Sequence, residues 1–131
     1  MFSFLKSNTK PEFPVIKTLP TKASTTYKIG DALVMSGGVL EKATGTTVPE
    51  YICACNYTAP ATGQEDIAVY LIDKMHEYET TFAAAPTDIK EGSKVTIHTD
   101  AAQVTATTAS GIVTVVKKLG NTSGSKCIVK F

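Results

Sequence analysis

A chain of 131 residues, 43% of them hydrophobic, is long enough to form one domain around a single core. The formal net charge is +1, so overall charge selects neither nucleic acid nor a membrane as a partner. All 13 basic residues are lysine, and the lack of arginine and tryptophan argues against sequence-specific base recognition and against a stacking platform for bases or sugars. No apolar run approaches the roughly 20 residues of a membrane-spanning helix, and the first residues do not resemble a signal peptide. We therefore expect synthesis in a cytoplasm.

Residues 1–24 differ in composition from the rest of the chain. They contain Pro11, Pro14 and Pro20, which disfavour helices and central strands. Four lysines and one glutamate give this segment a charge of +3, against −2 for the remainder. We interpret it as an extended N-terminal arm, with a disordered tail as the alternative. Its apolar residues are the candidate interface with a partner or a neighbouring copy: Phe2, Phe4, Leu5, Phe13, Val15, Ile16 and Leu19.

The body, residues 25–131, has the pattern of an all-β domain. Threonine is the commonest residue, with 20 copies, and short apolar runs alternate with turn residues. Ser36-Gly37-Gly38 predicts a tight turn between two paired strands. The predicted strands are Asp31–Met35, Val39–Lys42, Tyr51–Cys55, Ile67–Ile72, Glu77–Phe82, Lys94–His98, Gln103–Thr107, Ile112–Lys117 and Cys127–Phe131.

The body also shows a weak internal repeat, over about residues 28–72 and 90–131. The run 28–35 parallels 90–97, since each has a glycine, a small polar residue and then alternating strand residues. Ile52 falls opposite Val115, and each half ends on an apolar strand. One half is too small to cover a sheet by itself, so we expect the two to pack into one small barrel or sandwich.

These patterns resemble one family of capsid decoration (head cement) proteins of tailed phages. The residues that carry the resemblance are Gly30-Asp31-Ala32-Leu33-Val34, Gly38-Val39-Leu40-Glu41-Lys42-Ala43, Val48-Pro49 and Ile52, with Gly92-Ser93-Lys94-Val95 opening the second half. Tyr51 departs from the family pattern, which has glycine before the isoleucine, and the bulky strand at 77–79 is a second departure. The resemblance covers about residues 27–131, and the arm lies outside it.

Side chains with chemical potential are few and scattered. Cys53, Cys55 and Cys127 lack the spacing of a zinc site, and we interpret them as buried thiols. His76 beside Glu77, and His98 near Asp100, could in principle form an acid–base pair, but no nucleophile or oxyanion turn accompanies them. We interpret them as solvated strand ends. We therefore expect no catalytic residue, no cofactor and no metal, and a protein that is not an enzyme.

Two functional hypotheses remain. The resemblance implies a structural virion protein that is made in the host cytoplasm and binds the outside of the assembled phage head. Its partners would be the major capsid protein and other copies of itself, in a homotrimer, without direct contact to nucleic acid or membrane. The trimer has weak support from Ile67–Ile72, which is apolar on both faces, although an internal strand has the same pattern. The alternative is a carbohydrate- or protein-binding β module of a phage fibre or adhesin.

Overall fold

The structure, a computed structural model, describes residues 1–8 and 13–131, and within them the chain is all-β with no helix. The strands are β1 (Ser3–Ser7), β2 (Ile16–Pro20), β3 (Thr26–Tyr27), β4 (Ala32–Ser36), β5 (Val39–Lys42), β6 (Tyr51–Cys53), β7 (Tyr57–Thr58), β8 (Asp66–Leu71), β9 (His76–Thr81), β10 (Lys94–Val95), β11 (Val113–Lys118) and β12 (Lys126–Lys130).

The strands form two five-stranded antiparallel sheets and one two-stranded ribbon. The first sheet has the order β2-β8-β6-β4-β5, and the second has the order β1-β9-β12-β11-β10. Isolated β-bridges connect residues near the edges of each sheet. Thr21 bridges Leu40 in the first sheet, and Val104 bridges both Phe82 and Ile97 in the second. Each sheet therefore curls toward closure, and the whole is sandwich-like.

Two buried clusters form the core. The larger one includes Phe2, Ile52, Tyr78, Phe82 and Val129 and joins the two sheets, while a smaller one around Tyr27, Leu33 and Leu40 fills the curl of the first sheet. Alternation along the strands explains this burial, since residues two apart point to the same face. In β12, for example, Cys127 and Val129 are fully buried between exposed or half-buried neighbours.

Two turns of the same design begin the corresponding strands β4 and β10. In 28–31 and in 90–93 the fourth amide donates to the first carbonyl, at 3.0 Å in both, and the third residue is a glycine with a φ of 86° or 87°. The fourth side chain accepts a hydrogen bond from the first amide, at 3.0 and 3.1 Å. The Gly30 and Gly92 amides then donate to β6 and β11 carbonyls, at 2.9 and 2.7 Å. The predicted parallel between residues 28–35 and 90–97 thus coincides with two similar turns, while the repeat as a whole stays a prediction.

The residues of the decoration-protein pattern have structural roles. Asp31 is buried, with its carboxylate 3.0 Å from the Lys42 ammonium, and it accepts the turn hydrogen bond just described. Gly37 and Gly38 both have positive φ, as a two-residue hairpin turn requires, and β4 and β5 pair on either side of it. Ala43 is fully buried. The pattern therefore encodes turns and packing.

Two predicted features of the body need correction. The predicted strand Gln103–Thr107 is absent, because Val104 forms only the isolated bridges. His76 and Glu77 are not solvated, since they are 1% and 6% exposed. Lys6 from β1 supplies the charge that balances Glu77, with Nζ 3.1 Å from Oε2, in an ion pair that lacks hydrogen-bond geometry.

The predicted arm is extended, but its described parts are strands of the two sheets. β1 pairs with β9, and β2 pairs with β8. Both lie at a sheet edge, which is consistent with the proline at the end of β2. Lys10, Pro11 and Glu12, on which the arm prediction also rests, lie outside the described residues.

Candidate interaction surface

The seven candidate interface residues divide into an internal and an exposed group. Phe2 is 2% exposed in the main core, and Phe4 is half-buried with its ring centroid 5.0 Å from that of His76. Leu19 is half-buried against the smaller core cluster. These three were predicted as anchors for a partner, and this assignment is corrected: their side chains pack inside the domain, because the strands that carry them belong to its sheets.

The other four residues are on the surface. Phe13 is 74% exposed, Ile16 63%, Val15 48% and Leu5 45%. Phe13, Val15 and Ile16 lie close together in sequence, at the beginning of β2, and we name them the apolar ridge. Exposing a large apolar side chain to water is unfavourable. Three exposed apolar residues close together therefore indicate an interaction surface more strongly than scattered ones do.

The apolar ridge lies beside an apolar groove of about 420 Å³, which is within the size range of ligand or side-chain pockets. Phe13 and Ile16 line the groove on one side, and Phe2, Phe4 and Ile29 contribute to its wall. Ile29 is 47% exposed, so the apolar surface continues from the ridge into the groove. The sequence analysis did not find Ile29, because it lies in the turn before β4 and outside any strand pattern.

Tyr78 also lines the groove, and its hydroxyl is buried without a hydrogen-bond partner among the described residues. Burial raises the pKa of Tyr78 to about 12, and the negative charge of Asp73 adds to this effect. An unsatisfied buried hydroxyl costs about 1–3 kcal/mol, which an acceptor brought by a partner would offset. The phenol therefore stays neutral. The groove suits apolar groups together with a hydrogen-bond acceptor that reaches the Tyr78 hydroxyl.

The outer edge of β2 is the second feature of this surface. β2 is the terminal strand of its sheet and pairs along its length only with β8, while the residue after it, Thr21, bridges Leu40 of β5. Lys17, its second residue, is exposed and makes no ion pair with the described residues. The apolar ridge, the groove and this free edge lie at one end of the molecule, around the N-terminal half of β2.

Among residues 1–8 and 13–131, no three His, Cys, Asp or Glu side chains come together in a cluster that could hold a metal ion. His98 Nδ1 lies 3.3 Å from Asp100 Oδ1 on the surface, and that carboxylate also accepts the Ala102 and Gln103 amides. Asp100 therefore closes a turn. No helix in the described ranges is long and apolar enough to cross a membrane.

Two of the three thiols, those of Cys53 and Cys127, are buried. Burial raises the pKa of Cys53 to about 11 and that of Cys127 to about 12, so both are neutral at physiological pH. The Cys53 thiol lies 3.1 Å from the Cys55 carbonyl, and Cys55 itself is half-buried. All three cysteines are free.

Comparisons with known proteins do not assign a family. No protein-family model matches the chain, and no curated protein matches it at a significant level. The resemblance to decoration proteins therefore rests on the turn and strand residues quoted above.

Proposed function

We propose that the chain is a structural virion protein, a decoration protein that binds the outside of an assembled phage head and stabilises it. The observation that carries this proposal is the apolar ridge, which leaves three large apolar side chains in water beside an apolar groove. The partner, the major capsid protein, is inferred from the motif resemblance to decoration proteins. The expected location is the capsid surface.

The proposed mechanism is stabilisation by mass action. A protein that binds only the assembled lattice shifts the equilibrium toward that lattice by RT ln(1 + [L]/Kd) for each site. Many copies on one head multiply the effect, and no chemical step is needed. A rigid β domain suits this role, because a pre-ordered surface loses little conformational entropy on docking.

The homotrimer remains a prediction that rests on the resemblance. The two-faced apolar character of Ile67–Ile72 no longer adds to it, because β8 lies between β2 and β6 inside its own sheet. Ile67 and Val69 fill the core of the same chain.

The alternative, a carbohydrate-binding or protein-binding module of a fibre or adhesin, has less support. Aromatic side chains that stack on sugars must be accessible, but all five tyrosines are buried or half-buried, and Phe13 is the one exposed aromatic residue among residues 1–8 and 13–131. Tyr27 and Tyr78 are fully buried. Binding to a glycan array by a protein that ignores capsids would favour this alternative.

The test uses heads assembled from the major capsid protein encoded in the same genome. We expect the wild-type protein to co-sediment with expanded heads, and Phe13→Ala/Ile16→Ala to bind at least about 100-fold more weakly, because each side chain contributes about 1.5–3 kcal/mol when buried. The matched control is Val48→Ala/Leu119→Ala, which truncates two side chains that are 62% and 49% exposed elsewhere. Failure of the wild-type chain to bind heads would overturn the proposal, as would equal losses in both double variants.

A further inference from the structure

The two sheets place one pair of strands in equivalent positions. In the first sheet, β2 is antiparallel to β8, which is followed across the sheet by β6 and β4. In the second sheet, β9 is antiparallel to β12, which is followed across the sheet by β11 and β10. The residue after β2, Thr21, forms a parallel bridge to Leu40, and the residue after β9, Phe82, forms a parallel bridge to Val104. β2 and β9 therefore occupy the same place in their respective sheets.

Apart from these two bridges, only one of the two strands has a further strand along its outer edge. The Phe82 amide donates to the Ser125 carbonyl beside β12, at 3.0 Å, and antiparallel residues alternate in the direction of their hydrogen bonds. The even-numbered residues of β9 thus face β12, and the odd-numbered ones face the other way. β1 lies there, with Lys6 opposite Glu77 and Ser3 opposite Glu79.

The same alternation shows which backbone groups of β2 are free. The Leu71 amide donates to the Val15 carbonyl at 2.8 Å, so the odd-numbered residues of β2 bond to β8. Ile16, Thr18 and Pro20 then direct their backbone groups outward. Pro20 lies beside the parallel bridge of Thr21 to Leu40, so β5 reaches this edge at its C-terminal end. The free part of the edge is therefore the N–H and carbonyl groups of Ile16 and Thr18, which pair with no strand among the described residues.

We infer that this edge of β2 receives an extended segment of the shell subunit, which pairs antiparallel to β2 as β1 pairs with β9. This inference rests on the proposed function and names the contact by which docking takes place. Strand addition to a free sheet edge is an established mode of protein recognition, in which backbone hydrogen bonds supply affinity and alternate side chains supply specificity.

The surroundings of the edge define the chemistry of the incoming strand. On the covered edge, β1 brings Lys6 to the acidic Glu77, with Nζ and Oε2 3.1 Å apart. Residues 13–20 contain no acid and present the exposed Lys17 beside the apolar Ile16. The complementary segment therefore carries an acidic residue and, on alternate positions, apolar side chains that extend the ridge.

A second copy of this chain is a poorer source for that strand. Its β1 is already paired with its own β9, and its β2 brings another Lys17 and no acid. Like charges that face each other across two strands destabilise pairing.

The experiment removes one outward-facing N–H group of β2 and leaves the hydrogen bonds between β2 and β8 in place. Thr18→Pro removes the Thr18 amide and places a ring on the free edge, a position where proline is tolerated. Thr18→Val is the matched control, because it keeps the N–H and the branched shape. We expect Thr18→Pro to keep its far-UV circular dichroism and to bind heads at least about 10-fold more weakly, with Thr18→Val within about 3-fold of wild type.

Hydrogen exchange on the wild-type chain gives a second readout that does not depend on the folding of a variant. We expect the Ile16 and Thr18 amides to exchange at least about 10-fold more slowly on heads than in free protein. Unchanged exchange there, or Thr18→Pro binding as tightly as wild type, would overturn this inference and leave the decoration role standing. A dimer of the free protein that Thr18→Pro dissociates would overturn it in favour of self-pairing. Absence of wild-type binding would overturn both proposals.

Discussion

Truncating Phe2 is the most direct perturbation of the first strand. The side chain is 2% exposed, and its ring centroid lies 5.2 Å from that of Phe131 in an edge-to-face contact. A buried phenylalanine covers about 150–250 Å². At about 25 cal/mol per Å² this area is worth roughly 4–6 kcal/mol. The adjoining groove lets the site relax, so we expect Phe2→Ala to lower the free energy of unfolding by about 3–4 kcal/mol.

Urea denaturation followed by tyrosine fluorescence measures this loss, since the chain has no tryptophan. A domain of this length has roughly 7–20 kcal/mol in total, so the variant still folds and a shift of the midpoint is measurable. Leu5→Ala on the same strand is the control, because Leu5 is 45% exposed and should cost less than about 1 kcal/mol. Equal, small effects of both variants would refute the assignment of β1 to the core. By the same reasoning, deleting residues 1–22 should unfold the domain rather than release a dispensable arm.

Three further outcomes follow from the thiols and the glycines. A thiol reagent at pH 8 should modify Cys55 first and reach Cys53 and Cys127 only through unfolding, so Cys55→Ser should abolish the fast phase. The raised pKa values of Cys53 and Cys127 also predict that the stability contributed by these two thiols is constant below about pH 9 and is lost as pH rises toward about 12, because the thiols of the unfolded chain ionise first; denaturation at several alkaline pH values checks this. Gly30→Ala should destabilise the fold by more than the about 1–2 kcal/mol expected for Gly37→Ala, because both glycines have positive φ but a Cβ at Gly30 would collide with the Met1 side chain, whereas a Cβ at Gly37 would meet open space. Thermal melts of the two variants compare them, and equal melting points would contradict the steric argument.

The all-β class and the hairpin could be predicted from sequence because their signals are local. Val39–Lys42 was predicted with the bounds that the structure has, since two glycines fix the turn before it. β3 and β7 were not predicted, because two residues are too few for a periodic pattern. The burial of Glu77 was not predictable either, since its counter-charge Lys6 comes from a strand that is distant in sequence.

The candidate surface was predicted in part, for a related reason. Proline spacing and apolar content drew attention to Phe13, Val15 and Ile16, which are exposed. The same signal also selected Phe2 and Leu19, because an apolar residue near a chain end has the same appearance whether it packs inward or outward. Only the register of β1 on β9 and of β2 on β8 separates the two groups.

The irregularity in β1 limits how many molecules can be joined through their sheets. The register on β9 shifts between Phe4 and Lys6, where Leu5 is the extra residue, and a bulge of this kind spoils an edge as a template for further strands. The bulged β1 is therefore a poor partner for the edge of β2 in another copy. Contacts that repeat head to tail need two complementary edges to grow into a filament. Because the bulged β1 does not complement the edge of β2, these two strands do not propagate contacts from copy to copy.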